Sequence, residues 1–194
     1  MVPMQINTSR FSLSIEDSKR TKTLTYKKEA KELLCALAQV ISVCDRFLFS
    51  TKGPIALDKL RIEFVELRLV LCGTNKIKNL NRDYRGIDKV TDVLSFPVHE
   101  ELRKGQRGPL LPGPIAFGDI YICREVAERQ AANFAISYRH EVIHLFIHGF
   151  LHLLGFDHEI SQKEEDIMFS YEDKLVKSIY NKLNSIKVSH ARIS

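Results

Sequence analysis

Five of the chain's seven histidines fall between His140 and His158, in the run HEVIHLFIHGFLHLLGFDH. Within it His148 and His152 are four residues apart. On a helix that spacing puts two side chains on one face, with Cβ atoms about 5–6 Å apart. Two imidazoles so placed can share one zinc ion, whose Zn–N bonds are about 2.0–2.1 Å long. Gly155 follows His152 by three residues and can take the left-handed conformation that ends a helix. Phe156-Asp157-His158 then doubles back and His158 becomes the third ligand. Three protein ligands leave a fourth position for water, the arrangement of a catalytic rather than a structural zinc. The expectation is one divalent ion per chain, zinc by preference, used for hydrolysis.

The pattern H-x-x-x-H-x-x-G-x-x-H has the ligand spacing of the metzincin proteases, H-E-x-x-H-x-x-G-x-x-H, with Gly149 in place of the glutamate. That change removes the usual general base, so peptide hydrolysis by the standard route is not expected. Upstream, His140-Glu141-Val142-Ile143-His144 spells H-E-x-x-H literally, but the position ten after His140 is Phe150, which cannot be a third ligand. His144 shares the face of His148 and either supports a ligand or sits in the core. His99 and His190 read as surface groups. Asp157 has two open readings, an acceptor that orients a ligand imidazole or a turn residue before the last helix.

These residues need a scaffold, and the sequence outlines one. Ser137 to Leu154 reads as the central helix that carries the ligands. Met4 to Phe11 can form a strand, and Ser18 to Lys31 reads as a polar, basic connection. From Lys28 to Phe49, Leu33, Leu37, Val40, Ile41, Cys44 and Leu48 recur at threes and fours, the mark of an amphipathic helix. Arg61 to Cys72 reads as a strand, Thr74 to Tyr84 as a helix with Thr74 as its N-cap, and Thr91 to Phe96 as a strand stopped by Pro97. Val98 to Phe117 holds too many glycines and prolines for a regular element and reads as a long loop. Gly118 to Cys123 is the next strand and Arg124 to Ala135 the next helix. The last helix opens on the capping box Ser161 to Glu164 and runs through Ile179, with Ser185 to Ser194 as a fraying tail. Without a regular βαβ alternation the fold class is α+β: a small mixed sheet of about four strands packed on several helices.

Composition is that of one globular domain over residues 1–194, with 44% hydrophobic and 27% charged side chains. A chain of this length can bury about 70% of its unfolded surface, so it needs no metal merely to fold. Cys35, Cys44, Cys72 and Cys123 form no C-x-x-C pair and read as buried thiols of a reducing cytosol. The N-terminus lacks the order of a secretory signal and no long apolar run is present, so a cytoplasmic protein without membrane partners is expected. The net charge of +5 favours a polyanionic partner.

The residues also carry a family resemblance. HGFLHLLGFDH (148–158), LNRDYRGIDKVTDVLSFP (80–97) and GDIYIC (118–123) resemble, in order and spacing, the YbeY-type endoribonucleases or ribosomal RNA maturation factors, over about residues 61–183. Nothing before residue 60 adds to the likeness beyond a leading strand and helix. The resemblance implies that His148, His152 and His158 are zinc ligands and that Arg85 acts at the active site, where its fork-shaped guanidinium suits a phosphate. A structural pairing of Arg85 with Asp83, Asp88 or Asp92 is the alternative. The family implies a single-strand-specific endoribonuclease of small-subunit rRNA maturation and ribosome quality control. Its partners would be precursor rRNA, the small subunit and its proteins, and a ribosome-associated GTPase. A non-catalytic assembly factor with a stabilising metal, or less readily a zinc metalloprotease, are the competing functions. Two departures stand out: Val90 occupies a position that is proline in the family, and the 98–117 loop is long.

Overall fold

The computed structural model describes residues 4–18, 24–50, 62–99, 102 and 114–191. The elements run β1 (Met4–Asn7), β2 (Phe11–Asp17), α1 (Leu24–Leu48), β3 (Phe64–Cys72), α2 (Thr74–Arg85), β4 (Val93–Pro97), β5 (Pro114–Cys123), α3 (Arg124–Asn133), α4 (Tyr138–Leu153) and α5 (Gln162–Ala191). β3 is central and pairs in parallel with β2 and β5, while β1 and β4 close the edges antiparallel, giving the order β1-β2-β3-β5-β4. The mixed α+β class is as expected from sequence.

Alternation decides which face each strand buries. Phe11, Leu13 and Ile15 of β2, and Val65, Leu67, Leu69 and Leu71 of β3, join α1 and α4 in the main core. Val70, Cys72, Leu94 and Cys123 point the other way, under Ile77 of α2 and Val126 of α3. Beyond this small cluster the outer face is polar. There Arg68 of β3 pairs with Asp119 of β5, donates to Tyr121 Oη at 2.9 Å and lies 3.5 Å from Glu16 of β2, so one guanidinium ties three strands.

Helix α4 is apolar almost all round and is accordingly the buried helix of the set. Ile143, Phe146, Ile147 and Phe150 are all fully buried, each worth about 1.5–3 kcal/mol relative to exposure. Gly149 sets how closely the helix approaches the sheet. A Cβ at that position would lie 3.0 Å from Ile120 Cγ2 of β5 and 3.4 Å from Val93 Cγ2 of β4.

Several sequence expectations are corrected. The stretch from Met4 to Phe11 is not one strand: Thr8 accepts from Phe11 N at 2.9 Å and turns the chain between β1 and β2, so the sheet has five strands rather than about four. Thr74 is the first helical residue of α2, and Gly73 precedes it as N-cap, its carbonyl accepting from Lys76 and Ile77. The long loop ends before Phe117, because β5 begins at Pro114 and pairs with β3 from Phe64 onward. Residues 100, 101 and 103–113 of that loop lie outside the described residues. A bulge between Glu66 and Leu67 pairings shifts the register beside Gly118, which is why the glycine imitates a strand start. Helix α5 continues to Ala191, past the expected fraying point at Ser185. Of the four thiols expected to be buried, Cys35 on α1 is exposed.

Among the described glycines, Gly118 leaves the least room for a side chain. Its φ is +138°, and a Cβ would fall 2.1 Å from the Phe96 carbonyl oxygen. Gly118→Ala is therefore expected to cost about 3 kcal/mol through strain and overpacking, lowering Tm by about 6–12 °C for a chain of this size, as read by thermal denaturation.

Candidate metal centre

His148 and His152 project from the last two turns of α4, with Nε2 atoms 3.2 Å apart and ring centroids 4.8 Å apart. His158 joins them from the following turn, its ring 5.2 Å from each of the others. One nitrogen from each imidazole lies within 4.8 Å of the other two. Tetrahedral ligands at about 2.0–2.1 Å from a zinc ion would be roughly 3.4 Å apart, so this donor set fits one ion with small ring rotations.

The turn that delivers His158 is a Schellman motif. Gly155 has φ +86° and donates to the His152 carbonyl at 2.9 Å, while Phe156 donates to the Leu151 carbonyl at 3.1 Å. Phe156 is then buried against Tyr171 of α5, ring centroids 5.2 Å apart. With Phe156 fixed inside, His158 two residues on faces back to the helix end. Asp157 serves the turn: its carboxylate accepts from Glu159 N at 2.9 Å. Of its two open readings, this contact supports the turn residue.

Burial, with the neighbouring His148 and His158 rings, lowers the His152 pKa to about 4. The imidazole is thus neutral at pH 7, the form that binds a metal.

Glu172 of α5, a nearly buried carboxylate, faces the cluster from behind. Its Oε1 is 3.5 Å from His148 Nδ1 and 3.2 Å from His144 Nε2. Both contacts are at ion-pair range without hydrogen-bond alignment, so this oxygen is otherwise unpartnered among the described residues. A proton on His148 Nδ1 directed at Glu172 leaves the Nε2 lone pair facing His152 and His158. Carboxylates behind metal-binding histidines act in this way, fixing tautomer and orientation. His144 belongs to this support and not to the core, with half of its side chain exposed. The signal for Glu172 was present in the sequence: it occupies the apolar phase of the last helix with Met168, Leu175 and Ile179.

The upstream H-E-x-x-H does not assemble. His140 packs edge-on against Tyr180 at 4.8 Å, His144 faces Glu172, and Glu141 is buried with a raised pKa caused chiefly by desolvation. His99 is partly buried rather than fully on the surface, and the His190 side chain lies outside the described set.

Arg85 is the last residue of α2, before Gly86 at φ +71°. Its Nη2 lies 3.3 Å from Glu159 Oε1, which places the guanidinium one residue from His158. None of the three expected aspartates holds it. Asp83 pairs with Arg82, Asp88 with Lys78, and Asp92 accepts from Gln130 and Val93 N. The loop beyond Arg85 is held by Asn81, whose buried amide donates to the Lys89 carbonyl at 2.9 Å.

An α+β sheet carrying three converging imidazoles on a helix end and turn defines a protein equipped to hold a single metal ion. Residues 14–180 match the family model described as Endoribonuclease YbeY, and the chain belongs to that family. An Endoribonuclease YbeY from Persephonella marina is 44% identical over 123 residues, 63% of this chain and 76% of that protein. One from Leptospira interrogans is 43% identical over 119 residues, 56% of this chain and 83% of the relative. A solution structure of a Thermotoga maritima protein aligns with TM-score 0.49 and 27% identity, over 88% of this chain and 92% of that one.

Three outcomes are expected. Glu172→Ala lowers zinc affinity about 10- to 100-fold, measured by competition with a chelating dye. The unfolded chain takes up a His152 proton below about pH 6.5 and the folded chain only near pH 4, so chelator-treated protein loses stability as pH falls through that window. Melting curves at pH 7 and pH 5 check this, and His152→Ala removes that residue's share. Gly149→Glu, which must drive a carboxylate between Ile120 and Val93, lowers Tm sharply and yields no peptidase activity.

Proposed function

We propose that this chain is a metal-dependent, single-strand-specific endoribonuclease of small-subunit rRNA maturation and ribosome quality control. The observation that carries the reading is the convergence of His148, His152 and His158 in a chain of the YbeY endoribonuclease family. Zinc is the preferred ion, because three imidazoles with an open fourth position suit it. When bound, such an ion supplies Lewis acidity towards a phosphoryl oxygen or a water molecule.

The chain's own residues do the rest. Glu172 backs His148, its Oε1 3.5 Å from Nδ1, and the buried Phe156 keeps His158 turned inward. Arg85 binds the scissile phosphate and stabilises the negative charge that builds on it. Its pairing with Glu159 is a surface ion pair worth about 0–1 kcal/mol, weak enough to yield to a phosphate while keeping the guanidinium beside the cluster. The net charge of +5 assists encounter with RNA. The proposed partners, carried over from the family resemblance, are cytoplasmic ribosomal precursors, the small subunit and an associated GTPase.

The test is cleavage of unstructured RNA by purified protein, with metal analysis of the same sample. Chelation and His152→Ala are each expected to abolish cleavage, and zinc to restore it in the chelated wild type. Arg85→Ala is expected to reduce kcat/KM by about 10²-fold with metal content and Tm unchanged. Cleavage that is equal in wild type and His152→Ala, or absent from zinc-loaded wild type, refutes the reading. Loss of RNA binding alone in Arg85→Ala favours a non-catalytic assembly factor.

A further inference from the structure

Helix α5 lays two side chains, one turn apart, on the histidine cluster. Glu172 meets His148, and Phe169, three residues earlier, stacks on His158 with ring centroids 6.1 Å apart and planes 21° from parallel. Phe169 has no place in the core. It is 45% exposed, whereas its neighbour Met168 is fully buried and Phe156, in the same turn as His158, is 1% exposed. Helix phase explains the difference: 168, 172, 175 and 179 face inward, and position 169 is rotated about 100° from that stripe. A phenyl ring half in water forgoes the burial that most phenylalanines gain. One of its faces is backed by an imidazole of the metal site.

The group that completes such a ring is flat, apolar on its faces and joined to an anion. An unpaired nucleobase of an RNA strand has that chemistry, and base–aromatic stacking is a general means of holding single strands. The phosphate contact is at hand, because Arg85 reaches Glu159, the residue after His158. Of the flanking carboxylates, Asp166 accepts from Gln162, and Asp173 pairs with Lys177 at 2.6 Å. We propose that Phe169 is the stacking platform for a nucleobase next to the scissile phosphate. The inference rests on the endoribonuclease reading and assigns its single-strand preference to one ring, since a base inside a duplex already has both faces covered.

The experiment begins with zinc-loaded wild type on an unstructured oligoribonucleotide, scored for cleavage, and with chelated wild type scored for binding by fluorescence anisotropy. If neither is seen, the endoribonuclease reading fails, and this proposal with it, before any variant is compared. With an active wild type, Phe169→Ala and Phe169→Leu are expected to weaken binding and raise KM by about tenfold or more, while Phe169→Trp retains both. Metal content and Tm stay unchanged. An abasic nucleotide walked across the cleavage site is expected to erase the difference between wild type and Phe169→Ala at one position. Phe134→Ala, an exposed ring before the opposite end of α4, is expected to have no effect. Wild-type behaviour of Phe169→Leu would make the ring a mere apolar cover for His158 and overturn the proposal. So would a Phe169→Ala defect that persists on every abasic RNA, no defect at all, or an equal loss in Phe134→Ala.

Discussion

The seat of α4 on the sheet constrains everything else. Gly149 lets the helix axis come close enough for a Cβ to be in conflict with Ile120, and this contact fixes the helix's rotation as well as its distance. With position 149 against the strands, and about 100° per residue, positions 148 and 152 share one flank and position 144 lies slightly further round. His148 and His152 therefore converge, and His144 and His148 straddle the same carboxylate of α5. The absence of a glutamate at 149 is thus a packing requirement first. In proteases with this ligand spacing that position serves the reaction; here it serves the interface between helix and sheet.

The part of the site written within a few residues was legible in the sequence. Spacing of four gave the His148 and His152 pair, and Gly155 gave the return to His158, because both depend only on helix geometry and one positive φ. The inward phase of Glu172 was legible, but its histidine partners and the Arg85–Glu159 pair were out of reach, since each joins segments whose proximity is set by tertiary packing. Asp83, Asp88 and Asp92 lie close to Arg85 in sequence, but each has another partner, and the carboxylate beside Arg85 is that of Glu159, next to His158. The fold shows the same division. Helices with clear apolar stripes were placed within a few residues, whereas β2 was missed because the turn at Thr8 carries neither glycine nor proline. The start of β5 was hidden by proline at 114 and glycine at 118, residues that strands accept only at ends and bulges.

Electrostatics at the cluster follow from burial more than from net charge. Desolvation strips His152 of its proton, and the carboxylate of Glu172 is kept from water by the same packing that brings α5 against α4. His152 is therefore neutral at pH 7, and one nitrogen from each of the three rings already lies within 4.8 Å of the other two. The exposed charges, Arg85 and Glu159, pair with each other at the rim of the cluster.

The order of the strands has a kinetic consequence. β4 is made before β5 but sits at the sheet edge, and among the described residues its strand partner is β5, which also pairs with β3. A chain emerging from synthesis therefore carries an apolar edge strand with nothing to pair with until the segment past residue 113 appears. The antiparallel β4–β5 unit is then the more local closure, and its docking on β3 is the long-range step that loop entropy slows. Since α4 packs on both strands of that unit, the ligand helix gains its footing only once this late pairing is complete. Assembly of the fold and convergence of the three imidazoles are thus tied to the same late event.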